Sequence, residues 1–215
     1  MVPVAGRPFV YHQLAMLKQQ GFTEILMCVG YLGDQIQSEL GDGSSLGVSI
    51  RYAWESEGVL LGTGGALVNA LPKLQNHFLV MYGDSYLPID FKRMAEWIQE
   101  KHISSAMSVF RNEGRWDHSN TQVKSGLVSF YSKTALPGEC NFIDYGLLFF
   151  HKETILKYLG HPMPLDLSTI QKQLVEAHEM AAYEVKERFY EVGKPEGLAE
   201  LESFLGRQNS PSVLP

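Results

Sequence analysis

Helix-like and strand-like patterns alternate through at least the first 110 residues of this chain. The segment GRPFVYHQLAMLKQQGF predicts a helix, because Val10, Leu14 and Leu17 recur at helical spacing and Gly21 is suited to end it. The apolar runs TEILMCVGY and HFLVMYGDS are typical of strands that are covered on both faces. This alternation predicts an α/β fold, a three-layer αβα sandwich with a mostly parallel, Rossmann-like mixed sheet.

The composition limits the classes of partner. A length of 215 residues suits one domain, and the net charge of -6 without a basic run argues against a nucleic acid. No window reaches the roughly 20 apolar residues that span a bilayer, and the first residues lack the pattern of a signal peptide. We therefore expect a cytoplasmic protein that is not bound to a membrane. Cys28 and Cys140 lie far apart, so neither a zinc site nor a disulfide framework is indicated.

The glycine-rich stretch VLLGTGGAL, residues 59–67, is the first candidate for ligand binding. It is not a P-loop, which needs GxxxxGK[ST], and it is not a dinucleotide fingerprint, because the third glycine position is Leu67. Glycines let a ring or a phosphate lie against the main chain, and a helix starting near Ala66 would direct free N–H groups at it. A tight turn that needs glycine for backbone reasons alone explains the stretch equally well.

Two carboxylates follow predicted strands and are candidates for holding a cation. Asp84 comes directly after a buried strand and a glycine, where a hard cation can be held against phosphates. Capping of the following turn is the alternative for Asp84. Glu191 ends a later strand and is a candidate second carboxylate, whereas Glu196 suits the first turn of the closing helix.

Five segments in this order and spacing resemble the sugar-phosphate nucleotidyltransferases, the NDP-sugar pyrophosphorylases. The branch that handles heptose or mannose phosphates with GTP looks most similar. The resemblance covers roughly residues 1–205, which we expect to form the one domain, with a disordered tail over residues 206–215. The segments are MVPVAGRPFVYHQLAMLKQQGFTEILMCVGYLGDQI, ESEGVLLGTGGAL, LVMYGDSYL, FIDYGLLFF and RFYEVGKPEGL.

The resemblance implies an enzyme that joins an NTP to a sugar 1-phosphate and releases pyrophosphate with Mg²⁺. It implies that Asp84 is a Mg²⁺ ligand that also belongs to the nucleotide site, and that Glu191 matches the second metal carboxylate, usually Asp in the family. The remaining residues that it places against the base and ribose are Glu55, Leu61, Gly62, Thr63, Gly64 and Gly65.

On the sugar side the resemblance points to Lys133, Asp144 and Gly146. Lys133 matches a lysine that usually follows a Glu, here replaced by Ser132, and without the family it would be interpreted as a solvated surface lysine. The segment IDYG more often reads Asn-Ala-Gly, so Tyr145 indicates an altered sugar pocket. Asp144 alone is equally consistent with a strand residue satisfied by backbone donors.

The start of the chain is the main departure from the family. Family members open with an apolar strand, a glycine-rich loop containing an arginine, and a Pro-Lys before the segment that matches MVPVAGRP. The missing strand is central in the family, between the strands at residues 23–30 and 78–81, and its loss is expected to expose two apolar edges. We expect a fragment with impaired activity, although a misplaced start would also explain the departure. The alternative is a non-catalytic subunit that binds sugar nucleotides. Oligomeric state stays open, a homo-oligomer included.

Overall fold

The computed structural model describes residues 1–56 and 58–209. Seven helices are described: α1 Phe9–Gln19, α2 Gly33–Leu40, α3 Gly62–Ala70, α4 Phe91–Lys101, α5 Lys152–Leu156, α6 Leu167–Glu176 and α7 Pro195–Asn209. The strands are β1 Pro3–Val4, β2 Arg7–Pro8, β3 Glu24–Val29, β4 Ser49–Trp54, β5 His77–Met81, β6 Ser85–Tyr86, β7 Ser105–Arg111, β8 Thr121–Lys124, β9 Leu127–Tyr131, β10 Phe142–His151, β11 Ala181–Val185 and β12 Tyr190–Glu191. Over the described residues no helix is both long and apolar enough to cross a membrane.

The sheet is mixed, which confirms the predicted fold class. Its largest part has the strand order β5-β10-β7-β11-β9-β8, and β3 pairs separately with β4. The β3–β4 and β7–β11 pairs are parallel. Strand β10 runs antiparallel to both of its neighbours, β5 and β7.

Strand β10 shows why the fold has three layers. Its side chains alternate, so that Leu147 and Phe149 pack with α1, α4 and α7, whereas Leu148 and Phe150 pack with α3, α5 and α6. A ten-residue strand with apolar residues on both faces must be covered on both, as the sequence FIDYGLLFFH suggests. The helices therefore lie on the two sides of the sheet.

A cavity of about 1440 Å³ separates β3 from β5 and is lined by residues of both strands. Among the described residues β3 pairs only with β4, and β5 pairs only with β10. The facing edges of two strands that the sequence predicts to be central are therefore open. As a result Ile25, Leu26 and Met27 are only half-buried, although their apolar run is typical of a strand covered on both faces.

The open edge of β3 makes a prediction for hydrogen exchange. The N–H groups of Ser49 and Glu55 donate to the carbonyls of Thr23 and Val29, so the odd-numbered peptide groups of β3 face β4. The amides of Leu26 and Cys28 then face the cavity and lack a strand partner. We expect them to exchange at least about tenfold faster than those of Ile25 and Met27 in native-state NMR exchange. Equal protection along β3 would contradict the open edge.

Two sequence predictions need correction. Helix α3 begins at Gly62 rather than near Ala66. Helix α7 continues to Asn209, so the disordered tail predicted from Gly206 is wrong for residues 206–209. The rest of that predicted tail, residues 210–215, lies outside the described residues.

Candidate active site

The turn between β5 and β6 carries Asp84 and is held by a side chain of helix α1. The side chain of Gln13 is 6% exposed, and its Nε2 donates to the carbonyls of Tyr82 at 3.2 Å and Ser85 at 2.8 Å. No backbone N–H of the described chain donates to the Asp84 carboxylate, which accepts only the Ser85 hydroxyl, at 3.3 Å. Asp84 is therefore an exposed carboxylate on a fixed turn and does not cap that turn.

The short ladder between β6 and β12 brings Glu191 to the same place. Glu191 is opposite Ser85 in the register, and the N–H of Val192 donates to the Asp84 carbonyl at 2.9 Å. Loss of solvation, followed by the negative charges of Asp84 and Asp117, raises the pKa of Glu191, and Lys194 partly offsets this. The ladder therefore places Glu191 beside the Asp84 turn, and the Asp84 charge is one of the causes of its raised pKa.

This pair of carboxylates fits a divalent cation. Hard oxygen donors suit Mg²⁺, which usually takes one or two protein carboxylates and completes its shell with water and substrate phosphate. The described residues contain no cluster of three or more metal-binding side chains. A cation here would therefore be held by Asp84, Glu191 and a ligand, and it would offset the negative charge that adds to desolvation in raising the pKa of Glu191.

The glycine turn at the start of α3 is packed against another backbone segment. The N–H groups of Gly64 and Gly65 both donate to the Leu165 carbonyl at 2.9 Å. Gly62 has φ +74°, and a Cβ added there would lie 2.6 Å from the same carbonyl oxygen. We expected free N–H groups at the start of this helix. That expectation is wrong for Gly64 and Gly65, because the Leu165 carbonyl accepts a hydrogen bond from each of them.

The opposite side of the same turn faces the cavity. Gly62 and Thr63 line it together with Glu55, Cys28 and Asp84, and neither Leu61, Gly64 nor Gly65 does. The Glu55 carboxylate lies over Gly30, where an added Cβ would meet its Oε2 at 2.9 Å. Burial and then the Glu55 charge raise the pKa of the Cys28 thiol. This side of the turn, the nucleoside wall, therefore presents the Gly62–Thr63 backbone and the Glu55 carboxylate to the cavity. Glu55 forms no ion pair with any described side chain.

A bulge in β10 places Asp144 beside the Asp84 turn. The register of β10 against β7 shifts between Asp144 and Leu148, and Gly146 has φ +91°. A Cβ on Gly146 would lie 3.4 Å from the Tyr82 ring and 3.6 Å from Ser85 Oγ, which are ordinary contact distances, so Gly146 packs directly on this turn and its positive φ is what favours glycine. The bulge therefore brings the Asp144 segment against the same turn as Asp84.

Asp144 is a half-buried carboxyl surrounded by donors. Its Oδ1 accepts the Gly146 N–H at 3.0 Å, and its Oδ2 accepts Nε2 of Gln171 at 2.7 Å. Burial raises the pKa of Asp144, opposed by hydrogen bonds from Gly146, Gln171 and Tyr131 and by the charge of Lys133. The Oε1 atom of Gln171 is buried without a partner among the described residues. Backbone donors alone therefore do not explain Asp144, because two side chains also donate to it.

Lys133 lies just after β9 and is paired with Asp166. Its Nζ donates to both carboxylate oxygens of Asp166, at 2.9 and 3.1 Å, and both side chains are about half-exposed. Hydrogen bonds from Ser168 and the Lys133 ammonium overcome the opposing effect of burial and lower the pKa of Asp166 to about 2. Lys133 is therefore not a free surface lysine.

A profile of the nucleotidyl transferase family matches residues 1–208. The chain belongs to this family. Over 115 residues it is 41% identical to N-acetylmuramate alpha-1-phosphate uridylyltransferase of Neisseria meningitidis serogroup B. The matched segment covers 52% of this chain and 49% of the relative. Over 133 residues it is 30% identical to D-glycero-alpha-D-manno-heptose 1-phosphate guanylyltransferase of Campylobacter jejuni, which covers 62% and 58%. The chain thus spans about half the length of the curated relatives it matches.

Solved structures share the fold of this nucleotidyl transferase family member. Crystal structures of HddC from Yersinia pseudotuberculosis match it with TM-scores of 0.78 and, in a complex with GMP-PN, 0.77. Each covers 95% of this chain and 88% of the other, at 23% and 21% identity. At these identities the likeness establishes the fold.

Sequence patterns missed several residues that build this cleft. Gln13 had a detectable signal, since it is a polar residue on the apolar face of α1. Asp166 also had one, because it precedes an apolar helical run as an N-cap residue does. No local sequence pattern indicates the remaining cleft residues, because their interactions around Asp144 join distant parts of the chain. These residues are Tyr82, Tyr131 and Gln171.

Replacing Gln13 with Leu tests how the Asp84 turn is held. Two carbonyls would lose their donor, which is expected to cost about 1–3 kcal/mol of unfolding free energy and to weaken Mg²⁺ binding. Gln20→Leu is the control, since Gln20 bonds Ile89 and Phe91 at the other end of α1. Denaturant unfolding and calorimetric Mg²⁺ titration should show both variants destabilised and only Gln13→Leu impaired in Mg²⁺ binding. Equal Mg²⁺ affinities would contradict the role of Gln13.

Proposed function

We propose that this cleft belongs to a cytoplasmic sugar-1-phosphate nucleotidyltransferase, which condenses an NTP with a sugar 1-phosphate and releases pyrophosphate. The observation that carries the proposal is the meeting of three features around one turn. Asp84 and Glu191 form a carboxylate pair, Gly62 and Thr63 line the cavity that reaches Asp84, and the Asp144 bulge packs against Tyr82. The relatives act on sugar 1-phosphates, to judge from their names, which supports the same substrate class here.

In this proposal one group of residues binds the nucleotide and another binds the sugar phosphate. The Gly62–Thr63 backbone and Glu55 form a wall that orients the nucleoside, and Glu55 offers acceptor oxygens to N–H groups of a base. Asp84 and Glu191 would hold Mg²⁺, which when bound neutralises charge that builds up on the phosphates. Lys133 supplies positive charge at the sugar phosphate, and Asp144 with Gln171 forms the polar floor of the sugar pocket. Catalysis then rests on positioning and electrostatics for an in-line attack of the sugar phosphate oxygen.

A non-catalytic, sugar-nucleotide-binding subunit is the second candidate. The observation that favours it is the charge of the cavity, since Arg51 is the only lysine or arginine that lines it in the described part of the chain. Transfer between phosphates needs cationic groups around the triphosphate, whereas binding of a nucleoside and a sugar does not.

Pyrophosphate release measured together with binding separates the two candidates. The chain is incubated with Mg²⁺, each of the four NTPs and a panel of hexose, heptose and N-acetylated sugar 1-phosphates, and binding of UDP- and GDP-linked sugars is measured by calorimetry. Pyrophosphate release that needs both substrates supports the transferase. Binding without turnover, both in this chain and in a version extended by the N-terminal strand and glycine-rich loop typical of the family, supports the non-catalytic subunit. The absence of both would refute the proposed function.

A further inference from the structure

Lys133 is held in place by an acidic side chain from another element. Its ammonium group is on the turn after β9, and its partner Asp166 is the N-cap of α6, more than thirty residues further along the chain. The Asp166 Oδ1 atom accepts both Lys133 Nζ at 2.9 Å and the Ser168 N–H at 2.8 Å. The helix cap therefore fixes the carboxylate, and the carboxylate fixes the lysine.

The start of α6 is held by the glycine turn at the start of α3. The N–H of Leu165 donates to the Leu61 carbonyl at 2.8 Å, and the N–H of Leu167 donates to Thr63 Oγ1 at 2.9 Å. A Cβ on Gly64 would lie 3.0 Å from the Asp166 carbonyl group. Residues 165–167 are thus packed backbone to backbone on the glycine turn whose other side lines the cavity.

We infer that Asp166 is a positioning residue, which holds Lys133 at the sugar phosphate and connects it rigidly to the nucleoside wall at Gly62–Thr63. The inference rests on the proposed function. In this arrangement Asp166 touches no substrate. It acts on sugar-phosphate binding through Lys133, and the contacts of residues 165–167 with the glycine turn keep the lysine in register with the bound nucleotide.

Asp166→Asn tests this directly, because Asn caps helices as well as Asp and cannot form the ion pair. Asp90→Asn is the matched control, since Asp90 caps α4 by accepting the Arg93 N–H at 3.0 Å and has no ion pair with a lysine in the described chain. Affinities for a UDP- or GDP-linked sugar and for the corresponding nucleoside monophosphate are measured by calorimetry. Loss of an exposed ion pair predicts about two- to fivefold weaker binding of the sugar nucleotide with unchanged binding of the monophosphate.

A chemical readout reports on Lys133 without any substrate. Acylation of lysines by a water-soluble active ester is followed by peptide mass spectrometry, with the exposed Lys124 as internal reference. In Asp166→Asn the acylation rate of Lys133 is expected to rise about two- to fivefold, because its side chain is no longer held in the ion pair with Asp166. In Asp90→Asn it should not change.

The outcomes distinguish the inference from the proposed function. Sugar-nucleotide affinity that stays constant or increases in Asp166→Asn overturns the inference alone, because Asp166 would then be a spectator or a competitor of the phosphate. An unchanged acylation rate of Lys133 likewise overturns it. A wild-type chain that binds no sugar nucleotide overturns the proposed function and the inference together.

Discussion

Asp84→Asn is expected to weaken Mg²⁺-dependent binding of a sugar nucleotide at least about 100-fold, because removal of even an indirect metal contact costs 10–100-fold in affinity. Asp84 is exposed on a turn fixed by Gln13, and its carboxylate has no backbone donor in the described structure. The substitution therefore removes the proposed cation ligand, and we expect it to leave the fold intact. Calorimetric titration of UDP- and GDP-linked sugars with and without Mg²⁺ measures the effect.

Asp42→Asn is the control for this charge change. Asp42 accepts the Ser44 N–H at 3.0 Å in the turn before β4, away from the carboxylate pair. Its substitution should leave Mg²⁺-dependent binding within about twofold of wild type, as expected for a surface change. If Asp84→Asn retained the Mg²⁺ dependence of the wild type, the assignment of Asp84 as a metal ligand would be wrong.

Gly62→Ala is expected to destabilise the protein by about 2–4 kcal/mol. Two effects act together at this position. The φ of +74° is unfavourable for any residue with a Cβ, and the new Cβ would lie 2.6 Å from the Leu165 carbonyl oxygen, a backbone atom that cannot rotate away. Because this carbonyl also accepts the N–H groups of Gly64 and Gly65, any shift breaks the start of α3. Denaturant unfolding followed by circular dichroism measures the loss.

Gly160→Ala separates the two effects. Gly160 has nearly the same φ, +78°, and no atom within 4 Å of an added Cβ. Its substitution should cost only the conformational part, about 1–2 kcal/mol. If the two variants were equally stable, the contact between the glycine turn and Leu165 would not be as close as the structure shows.

The parts of the fold that sequence patterns predicted are those whose signals are local. Helix α1 follows from the spacing of Val10, Leu14 and Leu17, and Gly21 ends it with φ +85° as a C-terminal glycine should. Strands β3, β5 and β10 follow from their apolar runs. The open edges of β3 and β5 were expected from the family resemblance, and the cavity between them confirms that expectation.

The start of α3 was mispredicted for a physical reason. Three glycines within four residues argue against a helix on propensity alone. Here the Leu165 carbonyl accepts the otherwise unpaired N–H groups of Gly64 and Gly65, and this contact spans a hundred residues of sequence. Tertiary contact therefore stabilises a helical turn that no local pattern predicts.

The sequence indicated which types of residue form the candidate site. It did not indicate the hydrogen bonds and ion pairs that join them. Asp84 and Glu191 follow strands in the sequence, and the β6–β12 ladder brings them together. The ion pair of Lys133 with Asp166 could not be predicted, because Asp166 belongs to another element far along the chain. Hydrogen bonds of Gln171 and Tyr131 to Asp144 likewise join segments that share no sequence pattern.

The central claim is that one cleft binds the nucleoside and the sugar phosphate together, and hydrogen-exchange footprinting tests it most directly. With Mg²⁺ and a UDP- or GDP-linked sugar, we predict protection at the glycine turn, residues 61–66, at the Asp84 turn, residues 82–86, and on the sugar side at residues 131–134. The corresponding nucleoside monophosphate should protect the glycine turn and leave residues 131–134 unchanged. Protection by the sugar nucleotide that excludes the glycine turn, the Asp84 turn or residues 131–134 would contradict the account.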